Sequence, residues 1–149
     1  MGDIGQKALA RVSTPDKKVI EQLIADFYGC FQFEPAGQPD FAALRRIFHP
    51  QARITPPVTD TAGTLRSLSL DRFLEYCQEL SKDVRPYGGK ESQLSCDTEI
   101  TGDTAQVLSR YEFAIGYAGP VRRGTNCFQL VRESNRWWIM SLTWDRKKD

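Results

Sequence analysis

Apolar positions recur along this chain with two different periods, and the change of period divides it. Thr14, Pro15 and Asp16 mark a helix start. The threonine hydroxyl can cap, proline suits a first turn, and the aspartate complements the positive end of the helix dipole. Ile20, Leu23, Ile24, Phe27 and Phe31 then follow at helical spacing. Residues 35–39 interrupt the pattern. Asp40 caps a short second helix carrying Phe41, Leu44, Ile47 and Phe48, predicted to stop near His49-Pro50 because the residue before proline avoids helical backbone. Residues 52–55 read as a short strand ended by Pro56-Pro57, with a loop to about Thr64. Ser69 caps a third helix; Leu68 and Phe73 are spaced as a hydrophobic staple, and Leu70, Phe73, Leu74, Cys77 and Leu80 form its buried stripe.

Beyond this helix the period shortens. Residues 93–100, 105–117, 126–132 and 137–144 are extended runs rich in β-branched and aromatic side chains. The breaks between them (Gly102-Asp103, 119–124 and 133–135) are short and carry turn chemistry, so successive strands are expected to pair antiparallel as a meander. Segregated helices followed by such a meander predict an α+β domain: about three N-terminal helices packed on a strongly curved, mostly antiparallel sheet, cone-shaped, with a hollow where the helices do not fill the concavity. The expected organisation is a loose arm over 1–13, one domain over 14–145 and a charged tail over 146–149.

Alternation assigns faces. Placing Tyr111, Phe113 and Ile115 inward leaves Arg110 and Glu112 on the opposite face. The same rule turns Asn126, Phe128 and Leu130 inward, together with Trp138, Met140, Leu142 and Trp144. With Phe27, Phe48, Ile54 and Phe73 these would either simply fill the cone as packed core or line an aromatic-rich cavity whose polar groups are Asn126, the Tyr111 hydroxyl and the Trp144 indole. The candidate binding residues are therefore Tyr111, Asn126, Trp144, Phe113, Phe128, Met140, Phe27 and Ile54. The other face would carry Trp137, Ile139, Ser141, Thr143, Cys127 and Val131. A surface that apolar predicts a twofold homodimer through the sheet.

Composition narrows the classes. The chain of 149 residues is 40% apolar and 26% charged, with net charge +1, an ordinary globular balance. Its basic run, Arg146-Lys147-Lys148, is terminal, so the clustered cations needed to displace counterions from nucleic acid are missing. Cys30, Cys77, Cys96 and Cys127 lie far apart inside apolar runs and read as core residues rather than metal ligands. No metal or cofactor is expected. Neither a signal peptide nor a membrane span is legible, and the expected location is the cytoplasm.

Residues 44–52 (LRRIFHPQA), 101–107 (TGDTAQV) and 137–145 (WWIMSLTWD), taken with the element order, resemble the nuclear transport factor 2-like superfamily, or cystatin-like cone fold, over roughly residues 15–145. The resemblance implies a scaffold shared by ketosteroid isomerases, scytalone dehydratase, limonene epoxide hydrolase and small polyketide cyclases. It implies no single activity, because one fold hosts many functions. The isomerase carboxylate falls on Pro56 or Thr55, its phenol near Phe27, and its protonated acid on Asn126, which keeps one donor of three. The dehydratase and cyclase chemistries need an imidazole, and the lone His49 sits at a helix end. Arg110-Tyr111-Glu112 mimics part of the epoxide hydrolase spacing, but its third acid falls near Leu142. Three functions follow: a domain binding a small apolar or aromatic molecule, an enzyme of cyclase, dehydratase or isomerase type, or a protein-interaction module using the outer sheet face. No catalytic residue is assigned.

Overall fold

The computed structural model describes residues 14–146, so the expected arm, and the tail beyond Arg146, lie outside the described residues. The first helix, α1 (Pro15–Gly29), starts where its capping signal stands: the Thr14 hydroxyl accepts from the Lys17 N–H at 3.1 Å. Asp16 does more than oppose a dipole. It accepts from the Trp137 indole at 3.1 Å and from Arg132, anchoring the start of α1 to the sheet. Asp40 caps α2 (Phe41–Ile47) through the Ala43 N–H at 3.0 Å. Strand β2 (Phe48–Thr55) begins at Phe48, earlier than the sequence pattern suggests. Pro50 keeps its neighbours extended, and the chain passes directly from helix to strand. Ser69 caps α3 (Leu70–Ser81). Leu80 is half-exposed rather than part of the buried stripe.

The sheet has six strands in the order β1-β3-β4-β5-β6-β2. Strands β3 (Gly89–Thr101), β4 (Thr104–Ile115), β5 (Val121–Glu133) and β6 (Arg136–Arg146) form the antiparallel meander. The two-residue β1 (Gln32–Phe33) extends it antiparallel to β3, and β2 lies parallel to β6 at the other edge. The three helices pack on this strongly curled sheet, giving the expected α+β cone. Phe48, Phe128, Ile54, Leu130 and Leu142 are fully buried between the layers, and Phe27 meets Phe128 edge-on at 5.0 Å.

Two bulges set which way side chains face. In β6 the partner of Gln129 is Ser141 while that of Leu130 is Ile139, which leaves Met140 as an extra residue. Alternation reverses there. Trp137 (3% exposed) and Ile139 (0%) therefore belong to the core, while Trp138 and Met140 turn to the outer face, the reverse of the sequence expectation. Trp138 is covered by the Arg136 guanidinium, 3.6 Å from its ring centroid, and by the edge of His49. In β3, Gln93 pairs with Tyr111 and Ser95 with Arg110, so Leu94 is the extra residue. Cys96 stands opposite the buried Ser109, and beyond the bulge the odd-numbered Gln93 and Glu91 share the face of Tyr111 and Phe113. Strand β4 keeps strict alternation, with Ala105, Val107, Ser109 and Tyr111 buried and Arg110 exposed.

Candidate functional site

Where α1, α3 and the concave sheet face diverge they leave a cavity of about 190 Å³. Aromatic side chains form much of its wall: Phe27 and Phe31 from α1, Phe73 and Tyr76 from α3, Tyr111 and Phe113 from β4, and Trp144 from β6. The half-exposed Leu80 and the exposed Arg122 also line it and mark its mouth. Two glycines make room. A Cβ on Gly89 would stand 2.9 Å from Phe113 Cζ and 3.1 Å from Phe33 Cζ, both from cavity-lining rings. A Cβ on Gly124 would meet the Tyr111 hydroxyl at 2.6 Å.

Among the eight candidates, the structure brings Tyr111, Asn126, Trp144, Phe113 and Phe27 to the cavity wall. Phe128 and Ile54 are not there; both are fully buried in the core, Phe128 edge-on against Phe27 of α1. Met140 is displaced to the outer face by its own bulge. His49 is also elsewhere, with its Nε2 3.3 Å from Glu133 Oε1 on the outside of the sheet. Arg110 and Glu112 lie on the outer face, paired with Asp97 and Arg123 respectively.

One functional group escaped the sequence reading. Glu91 forms part of the cavity wall, and Asn126 Nδ2 donates to its Oε1 at 3.3 Å. Its second oxygen has no hydrogen-bond partner among the described residues. Burial pushes the Glu91 carboxyl up to about 7, with the Asn126 hydrogen bond opposing only in part. The carboxyl keeps some accessible surface, as a cavity wall must, yet it is hemmed in by protein atoms. Strict alternation traced back from Cys96 would turn Glu91 outward, and the Leu94 bulge is what brings it in. No signal for that bulge is legible in the letters QLSC.

Asn126 does not offer a spare donor to a ligand. The same amide donates to the Tyr28 hydroxyl at 3.0 Å. Tyr28 is 2.6 Å from Ser109 Oγ, which donates to Gln93 Oε1 at 2.5 Å. Directionality follows: Asn126 feeds both Glu91 and Tyr28, Tyr28 feeds Ser109, and Ser109 feeds Gln93. Burial raises the Tyr28 hydroxyl to about 12, and that of Tyr111 likewise, so both stay neutral near pH 7. At the rim Arg146 pairs with Asp60 at 3.0 Å, and Asp60 lies 3.4 Å from the Tyr76 hydroxyl. Among the described residues no group of three or more His, Cys, Asp or Glu could hold a metal ion, and no helix is long and apolar enough to cross a membrane.

Solved structures share this architecture. A protein of unknown function with a cystatin-like fold from Nostoc punctiforme superposes with a TM-score of 0.71 at 12% identity, covering 90% of this chain and 93% of its own. An NTF2-like protein of unknown function from Silicibacter pomeroyi gives 0.60 at 19% identity, covering 87% and 94%. This chain has the nuclear transport factor 2-like fold. A third structure with this fold, an NTF2-like protein from Cytophaga hutchinsonii, gives 0.68 at 11% identity, covering 90% of this chain and 100% of that one. No family model matches the sequence. No curated protein matches it either. The nuclear transport factor 2-like fold fixes the scaffold, and the chemistry has to be read from the cavity itself.

Proposed function

We propose that this cavity binds a small, largely apolar molecule of about one ring in size. The observation that carries the reading is a wall rich in aromatic side chains around about 190 Å³, against the ~150 Å³ in which an apolar protein cavity admits benzene. Titration with toluene, followed by the amide and indole resonances of Phe73, Tyr111 and Trp144, tests it. Saturable shifts at these positions, abolished by filling the space with Gly89→Leu, are expected. An unchanged spectrum up to the solubility limit of toluene would sink the reading.

A second reading is favoured by Glu91. A carboxyl near 7 with one oxygen free toward the cavity suits proton transfer close to neutral pH, whereas an ordinary carboxylate is too weak a base. An enzyme of isomerase, dehydratase or cyclase type would use Glu91 as its acid or base, with Asn126 as a positioning residue. His49 has no part in this reading, since it faces away from the cavity. Turnover that disappears in Glu91→Gln while toluene binding persists would select this reading. Turnover unaffected by that change would exclude it.

The outer sheet face supports a further element of the reading, a homodimer. Leu108, Cys127, Val131, Trp138 and Met140 are half-buried there, and the Trp138 indole nitrogen is shielded without a hydrogen-bond partner among the described residues. Light scattering at micromolar concentration tests it: a monomer would rule the dimer out.

A further inference from the structure

Among the described residues no cation is paired with the Glu91 carboxyl. The titratable groups facing it are the Tyr28 hydroxyl from α1, the Cys77 thiol from α3 and the Tyr111 hydroxyl from β4, all neutral near pH 7. Burial and the Glu91 charge itself hold all three protonated. From β5 it meets the uncharged Asn126 amide. Two guanidiniums line the same cavity, Arg122 from β5 and Arg146 from β6, but Arg146 is engaged by Asp60 and neither is hydrogen-bonded to Glu91. An ionised Glu91 is thus left with one protein hydrogen bond of 3.3 Å, to one oxygen, and a second oxygen that no described residue hydrogen-bonds.

Building on the small-molecule reading above, we propose that the preferred ligand is a single-ring compound bearing a protonated amine, with the ammonium bound at the free oxygen of Glu91 and the ring held by the aromatic wall. Three features meet in this assignment. A carboxylate hemmed in by protein gains from a ligand that supplies the missing positive charge, because a charge-assisted hydrogen bond is stronger than a neutral one and offsets partial desolvation. Aromatic side chains line the same cavity, Phe73, Tyr111 and Trp144 among them, and such rings attract cations as well as other rings. The volume admits one ring with a short substituent.

Binding an ammonium requires Glu91 to be ionised, so ligand uptake expels a proton whenever Glu91 is protonated beforehand. Affinity for the amine should rise by about tenfold per pH unit below pH 7 and level off above it, about 100-fold in all between pH 5 and pH 8. An uncharged ligand of the same shape should show no such slope.

Isothermal titration with benzylamine, toluene and benzoate at pH 5 and pH 8, on the wild-type chain and on Glu91→Gln, decides the matter. Expected are benzylamine binding at pH 8 at least about tenfold tighter than toluene, the pH slope just given, and loss of both preference and slope in Glu91→Gln. Toluene binding retained by that variant shows that its cavity is intact. Toluene binding as tightly as benzylamine to the wild type would overturn the amine assignment while leaving the cavity reading standing. Benzoate binding more tightly than benzylamine would overturn it in favour of selection by Arg122. Amine preference surviving in Glu91→Gln would overturn the role of the carboxyl. Failure of all three compounds to bind would remove both readings together.

Discussion

Replacing Glu91 with glutamine should stabilise this protein, and by an amount that depends on pH. In the unfolded chain the carboxyl has its ordinary value of 4.5, and in the fold it is raised to about 7. The folded state therefore holds more protons between those values. Stability contributed by the neutral acid is complete below the lower value, falls as pH rises through the window, and is gone above the upper one. The gap corresponds to at most about 3 kcal/mol at 1.36 kcal/mol per unit, and cavity water that solvates the carboxylate brings the expectation to about 2 kcal/mol. Glutamine retains the carbonyl that accepts from Asn126 but has no charge to desolvate. Urea unfolding at pH 5 and pH 8 measures the difference directly. Wild type should lose about 2 kcal/mol between the two, and Glu91→Gln should lose that much less. Near 150 residues this amounts to roughly 4–8 °C in Tm at pH 8. Parallel pH dependence in wild type and variant would show that Glu91 is not desolvated, and the case for a chemically poised cavity would fall with it.

Other substitutions probe the surroundings of the site. Tyr28→Phe removes the acceptor of one Asn126 N–H and the donor to Ser109, so about 1–3 kcal/mol should be lost in chemical denaturation. Gly124→Ala pushes a methyl against the Tyr111 hydroxyl and the Asp145 carbonyl, and the Tyr111 ring resonances should shift even where the fold survives. Phe128→Ala empties a fully buried site packed edge-on by Phe27 and should cost about 3–5 kcal/mol. Burial raises the Cys30 thiol to about 11 and the Cys77 thiol further still, so alkylation at pH 8 should reach both only after unfolding. Modification of Cys77 at the rate of a free thiol would contradict the packing of α3 on the sheet.

Much of this fold was legible because its signals are local. Thr14, Asp40 and Ser69 each carry a capping side chain directly before an amphipathic run, and each caps a helix. Turn chemistry at Gly102-Asp103 and Ser134-Asn135 located two hairpins, where Gly102, Ser134 and Asn135 adopt positive φ. What was not legible depends on partners far away in sequence. The parallel pairing of β2 with β6 has no local signature, nor does the two-residue β1. Facing was read correctly on β4, where alternation is unbroken, and incorrectly on the first half of β6, where Met140 interrupts it. The same cause hid the most reactive group of the cavity. Glu91 lies in a polar stretch, KESQ, that reads as an exposed strand end until the pairing with Phe113 is known.

The Leu94 bulge makes the character of the cavity a matter of counting rather than of composition. A relative of the same length whose strand paired regularly, without the bulge, could keep every letter of KESQ and still present its acid to water, leaving a chamber without a carboxyl behind an identical motif. Alignment columns would score the two as equivalent at that glutamate. A change in the charge a cavity on this scaffold presents thus needs no exchange of its lining side chains, only the gain or loss of a bulge in one strand.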